Sequence, residues 1–299
     1  MRRPIGLILG FCVLLAVPVA NVAAQAPAIA PVSVGGAMPA FTLPAYQGGS
    51  VSLAALRGKA VILIFPRGYS GPGSWCHVCN YQYSEMVEFE TRQQFRKTAN
   101  VEILFVLPYA KEALDDWMDK YPQQLADLEA WKNPADPSKL DTAGRQRMER
   151  ARRVYPKTYT ATKGQVPIPF PILMDADRTL SKGLGLFTTE WSGSKADQQV
   201  PTVFVIDAAG VVRFKYLSQN TIDRPGADYL AKVVDWVARG PFSAAERDAL
   251  PRPRSAPSTA RTRATGSCTR TASPVACTRR AVSRPTHRRR RRRSADSRC

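Results

Sequence analysis

The chain has 299 residues, 44% of them hydrophobic, and a formal net charge of +19. That charge is unevenly placed: fifteen Arg and one Asp follow Pro251 and two Arg open the chain, leaving a body of 26 basic and 23 acidic residues, net +3. A body so nearly neutral does not demand a polyanionic partner, and no specific nucleic-acid partner is expected.

Residues 1–24 read as a secretory signal peptide. Arg2 and Arg3 supply the positive end, Ile5 to Ala20 the apolar core, and Val22-Ala23-Ala24 the cleavage site; an uncleaved anchor is the alternative. The mature chain is then exported, to a periplasm-like compartment where disulfides persist, and has no membrane span. Residues 25–35 are Ala/Pro-rich and read as a linker. Residues 36–250 are long enough for one folded domain.

Within that domain, Gly36 to Leu43 reads as an edge strand, with Gly48-Gly49 turning the chain toward Val51-Ser52-Leu53. Ala60 to Phe65 is an uninterrupted apolar run, the pattern of a buried strand. Cys79, Tyr83, Met86 and Val87 then recur at helical spacing, predicting a helix to Lys97. Val101 to Leu107 is a second buried strand and Lys111 to Lys120 is helical in pattern.

Residues 121–170 are irregular and read as a partly helical insertion over the active-site side, a peripheral cap, with a substrate-selecting lid as the alternative. Trp131 to Pro137 breaks any element, while Lys139 to Val154 can form a charged helix. Ile172 to Asp175 follows as a short strand and Asp177 to Leu184 as a short helix. Thr202 to Asp207 and Val211 to Leu217 form a hairpin about Ala208-Ala209-Gly210, and Arg224 to Arg239 is the last helix. Helices crossing between strands predict an α/β fold, a central mixed sheet covered on both faces. Residues 251–299 contain no Phe, Tyr or Trp and an Arg288–Arg293 run; they read as a disordered Arg-rich tail.

The chemistry is concentrated in Ser74-Trp75-Cys76-His77-Val78-Cys79-Asn80, where a strand end turns into a helix. Unpaired N–H groups and the helix dipole favour a thiolate there. The body holds only these two cysteines, so they read as a functional pair and not as part of a disulfide scaffold. A c-type haem site would need His where Asn80 stands. A structural zinc site would need more ligands than the body's single His77 offers. No cofactor and no metal are expected.

Val200-Pro201-Thr202-Val203-Phe204-Val205-Ile206-Asp207-x-x-Gly210, together with the upstream Trp-Cys-x-x-Cys, resembles the thioredoxin superfold. Gly36-x-x-Pro39-x-Phe41-x-Leu43, Leu56-x-Gly58-Lys59 and Asp175-x-Asp177 resemble its redoxin branch. That branch contains the alkyl hydroperoxide reductase/thiol-specific antioxidant (peroxiredoxin-like) proteins and exported thioredoxin-like reductases. Arg67-Gly68 and Trp75-Cys76-x-x-Cys79-Asn80-x-Gln82 are similar to a motif of peroxiredoxin-like members, here split by residues 69–74 and with His77 in place of Pro. The resemblance implies a thioredoxin-like redoxin domain and a cis Val200–Pro201 bond that faces Cys76 and docks an extended substrate.

Three readings follow. In the preferred one, the chain is a thiol-disulfide oxidoreductase: Cys76 is the exposed nucleophile and Cys79 resolves the mixed disulfide. His77 either supports the Cys76 thiolate or is a solvent-facing residue. In the second, the chain is a peroxiredoxin-like thiol peroxidase, with Pro72-x-x-x-Cys76-x-x-Cys79 similar to that family's motif. The family's arginine is absent at Pro201, and Arg67 can replace it only if folded inward. In the third, the pair is a locked disulfide in a redox-inert binding module. Substrates would be protein or small-molecule disulfides, or peroxides, with an external thiol reductant.

Overall fold

A computed structural model of the chain describes residues 29–239; the signal segment 1–24 and the Arg-rich tail 251–299 lie outside the described residues. A small antiparallel ribbon comes first, β1 (Thr42–Pro44) and β2 (Ser50–Ser52), followed by the buried strand β3 (Ala60–Phe65). A short hairpin, β4 (Tyr69–Gly71) and β5 (Ser74–Trp75), delivers the chain to α1 (His77–Gln93). Gln94 is left-handed, φ 47°, and ends α1 four residues before the predicted end; α2 (Phe95–Thr98) continues at a new angle. Then come β6 (Val101–Leu107), α3 (Lys111–Lys132), α4 (Thr142–Val154), β7 (Ile172–Met174) and α5 (Thr179–Gly183). A second hairpin, β8 (Phe187–Trp191) and β9 (Ser194–Gln199), precedes β10 (Thr202–Ile206), β11 (Val212–Leu217) and α6 (Ala227–Arg239).

Five strands form the central sheet in the order β11-β10-β3-β6-β7. β3, β6 and β7 are parallel, and β10 is antiparallel to β3 and β11. Strand alternation sends Ile62, Ile64, Ile103 and Phe105 into one core and Val61, Leu63, Leu104 and Val106 into the other. The first core is covered by α1, α3, α4 and α6, and the second by the N-terminal segment and α5. This is the thioredoxin-like α/β fold, a mixed sheet flanked by helices.

Three expectations need correction. The helix predicted to stop at Lys120 runs through Pro122 to Lys132. An internal proline costs about 3 kcal/mol, but Tyr121 just before it and Leu125 and Leu128 just after it are buried and offset the loss. The insertion is not peripheral: Ala151, Val154, Tyr155 and Phe170 join the first core. Tyr83 Oη donates to Pro167 O at 2.7 Å and Lys157 N to Tyr81 Oη at 2.8 Å, tying the insertion to α1. Val32, in the segment read as a linker, is buried in the second core.

Candidate active site

The end of β3 fixes the loop that faces α1. Gly68 has φ +79°, and a Cβ there would fall 2.3 Å from the Tyr109 hydroxyl, so only glycine fits. That hydroxyl accepts from Tyr69 N at 2.9 Å and donates to Asp197 O at 2.6 Å. Gly68 O accepts from Cys76 N, and Arg67 O accepts from Gln199 N, both at 2.9 Å. The loop is thereby pinned between β9 and the start of α1.

Cys76 is the N-cap of α1, its sulfur accepting from Cys79 N at 3.3 Å. Both cysteines are free thiols and both are buried, 3% and 5% exposed. Their sulfurs are in direct contact and share one proton. Two such close thiols cannot both ionise, and their surroundings decide which one does. Cys79 Sγ accepts from Arg67 N at 3.2 Å and lies 3.9 Å from Arg224 Nη2.

Burial alone would push the Cys79 thiol up. The hydrogen bond with Cys76, the Arg224 guanidinium and the Arg67 N–H outweigh it and bring the thiol down from 9.0 to about 6. Cys76 moves the other way: burial, reinforced by the adjoining Cys79, holds its proton well above the ordinary thiol range. The expectation that Cys76 would be the exposed thiol is overturned by its burial, and the cationic and N–H groups gather on Cys79 instead. Its cap position counts for less than its burial and the negative charge beside it.

Arg224 was not singled out in the sequence, which placed it in the last helix. It stands in the loop before α6, 2% exposed. Arg224 Nη1 donates to Asp223 O at 2.8 Å and Ser218 Oγ at 3.1 Å. Asp223 in turn accepts from Gln219 N at 2.7 Å and Asn220 N at 3.1 Å, which folds the loop on itself. Gln82 of α1 donates to Pro225 O at 3.3 Å, linking this loop to the cysteine helix.

The remaining sequence-selected residues fall around this pair. Trp75 is buried, stacks on Tyr69 with centroids 4.2 Å apart, and donates from Nε1 to Asp116 at 2.9 Å. The Arg67 side chain does not replace the missing arginine. Its Nε donates to Gln198 Oε1 at 2.7 Å and its guanidinium covers Trp191, so only its backbone serves the sulfur. His77 does not support Cys76. It turns to α3, with Nε2 3.4 Å from Asp127 and its ring 4.5 Å from that of Trp131, and burial lowers its proton affinity.

Val200–Pro201 is trans, since no described peptide bond is cis. Pro201 leads into β10 as a strand-initiating proline, its carbonyl accepting from Ser218 N at 2.9 Å. Both Val200 backbone groups are taken: N–H donates to Leu186 O at 2.8 Å and C=O accepts from Thr202 Oγ1 at 2.9 Å. The expected cis bond with a free docking strand is thus replaced by an edge already satisfied within the chain.

Among the described residues, no group of three or more His, Cys, Asp or Glu could hold a metal ion, and no helix is long and apolar enough to cross a membrane.

The sequence matches the AhpC/TSA family over residues 34–215. Among solved structures the chain is similar to the reduced 2-Cys peroxiredoxin of Plasmodium vivax, at 20% identity over 70% of this chain and 83% of that one, TM-score 0.43. It is also similar to a cysteine-to-serine mutant of the peroxiredoxin 6 of Arenicola marina, at 13% identity over 69% and 74% of the two chains, TM-score 0.45. No curated protein matches.

Proposed function

Since the chain belongs to the AhpC/TSA family and is a peroxiredoxin-like oxidoreductase, we propose that it is a thiol peroxidase with Cys79 as the peroxidatic residue and Cys76 as the resolving one. The observation that carries this reading is the pairing of Cys79 Sγ with the Arg67 N–H and the buried Arg224. These groups hold a thiolate and are placed to draw the oxygens of a peroxide to it.

The Cys79 thiolate attacks the terminal peroxide oxygen, the O–O bond breaks, and the leaving alkoxide departs as the alcohol with the proton of the Cys76 thiol. Cys79 is now a sulfenic acid and Cys76, its neighbour in the reduced chain, a thiolate. Attack of Cys76 on the Cys79 sulfur breaks the S–O bond, forms the disulfide and expels hydroxide, which takes a proton from solvent and leaves as water. An external dithiol returns both cysteines to the reduced state by exchange.

Protein-disulfide exchange with Cys76 as nucleophile has less support. That sulfur is buried, carries the raised proton affinity, and faces no free backbone edge at Val200. Burial of both sulfurs favours small peroxides over an extended chain. Export is part of the proposal, supported by the charge and apolar pattern of residues 1–24. Fractionation of expressing cells would check it: recovery of the full-length chain only in the cytoplasm would refute export.

The enzymatic test is consumption of hydrogen peroxide and cumene hydroperoxide with excess dithiothreitol. Cys79→Ser is expected to abolish it, and Cys76→Ser to retain a first turnover. Retained turnover in Cys79→Ser together with loss in Cys76→Ser would return the nucleophile to Cys76.

A further inference from the structure

Between the end of α3, α4 and the loop that carries Arg224 lies a cavity of about 430 Å³, within the size range of small-molecule sites. Met148, Ala151, Val154 and Ile222 give it apolar walls. Arg147 and Arg150, three apart on α4 and therefore on one face, also line it. Both are exposed, and among the described residues neither has a hydrogen-bond or ion-pair partner. Of the other arginines on α4, Arg152 Nε donates to Lys132 O at 2.8 Å and Arg145 Nη1 to Leu140 O, while the exposed Arg153 does not line the cavity. Two uncommitted guanidinium groups on an apolar hollow are complementary to an anion with a hydrocarbon body.

Neither cysteine lines the cavity, but two of its lining residues lead toward the dithiol. Ile222 stands two residues before Arg224. Tyr155 also lines the cavity, close enough to the cysteines for their charge to act on its hydroxyl. The insertion thus forms a wall beside the reactive sulfurs.

We propose that this cavity binds an anionic amphiphile, a carboxylate bearing a hydrocarbon chain, with the carboxylate on Arg147 and Arg150 and the chain against Met148, Ala151 and Val154. Its use as a substrate pocket, which presents a hydroperoxide on that chain to Cys79, rests on the peroxidase reading above. Binding itself does not.

The test is calorimetric titration of the reduced full-length chain with dodecanoate below its micelle concentration; this ligand cannot oxidise a thiol. One saturable site is expected, with dodecanol binding about tenfold more weakly or worse. Arg147→Ala/Arg150→Ala should weaken dodecanoate to the same extent. Ala151→Phe should fill the hollow and abolish binding, with circular dichroism confirming that each variant is folded. The exposed arginine pair keeps the test decisive if the buried substitution does not fold. Absence of saturable binding, or binding indifferent to the two arginines, would overturn the proposal.

Dodecanoate should also raise the KM for cumene hydroperoxide. Binding without that rise would remove the substrate role. Failure of the chain to consume peroxide at all would remove the peroxidase reading and leave the binding result standing.

Discussion

Arg224 reaches the Cys79 sulfur at 3.9 Å across 145 positions of sequence. A buried cation of this kind persists only where its charge is met, and here a thiolate meets it along with Asp223. The same contact lowers the Cys79 thiol and aims a planar, multiply donating group at the place where peroxide oxygens would lie.

Arg224→Ala should therefore raise the Cys79 titration midpoint by about one unit or more and slow peroxide reduction by about ten- to a hundredfold. Thiolate absorbance at 240 nm and stopped-flow peroxide consumption would measure the two effects. Arg224→Lys should rescue little, because a lysine ammonium lacks the fork that joins Ser218, Asp223 and the sulfur. An unchanged midpoint in Arg224→Ala would sever the arginine from the thiolate.

The pH dependence carries a sign. Cys79 titrates at about 6 in the folded chain against 9.0 for an ordinary thiol, so the reactive thiolate persists at neutral pH and is lost as pH falls through 6. Alkylation by iodoacetamide should fall with a midpoint near 6, where an unperturbed thiol would already have lost reactivity above pH 8. By linkage, a depressed value stabilises the reduced fold above the unfolded thiol's range, and that stabilisation declines as pH drops toward 6. Cys76, its proton affinity raised, stays protonated across this window. The disulfide form has no thiolate and its melting temperature should lack this slope; equal slopes for the two forms would contradict the assignment.

Resolution should be fast because the sulfurs already touch. With the two sulfurs in contact in the reduced chain, a sulfenic acid on Cys79 should meet its partner without unwinding α1. Wild-type chain under excess peroxide should accumulate disulfide and little sulfinic acid, whereas Cys76→Ser should over-oxidise at Cys79. Intact-mass spectrometry distinguishes them by two added oxygens on one cysteine. Comparable sulfinic acid in both chains would show that Cys76 does not resolve.

The central strands were legible because burial on both faces leaves uninterrupted apolar runs, as in Ala60–Phe65 and Val101–Leu107. The cysteine pair was legible because its spacing and its position between strand and helix are local. Which cysteine ionises was not, since the answer rests on Arg224, whose placement depends on Asn220, Asp223 and Gln82 closing a loop. Nor was the β8–β9 hairpin: Thr188, Glu190 and Lys195 give no apolar alternation, and its pairing with the Arg67 loop is tertiary. Leu186 O, just before that hairpin, accepts from Val200 N, and Thr202 Oγ1 donates to the Val200 carbonyl, which removes the expected docking edge.

Gly68 joins these features at one backbone position. It sits at φ +79°, where an L side chain is strained by about 1–2 kcal/mol, and its missing Cβ leaves room for the Tyr109 hydroxyl. That hydroxyl cannot swing aside freely, because the ring is buried and the oxygen bonds both Tyr69 N and Asp197 O. Gly68→Ala should therefore push the loop itself, which carries the Arg67 N–H to Cys79 and the carbonyl that binds Cys76 N. Urea unfolding should show a loss of about 2–4 kcal/mol from strain and overpacking together. In the fraction that still folds, the Cys79 midpoint should rise, because one of the donors that holds its thiolate has moved. Tyr109→Phe in the same background should restore little of the stability, because two ring carbons stay within 2.8 Å of the added Cβ and the positive-φ strain remains. A Gly68→Ala chain with wild-type stability and an unshifted thiol would mean that the loop does not hold Cys79 in its ionised form.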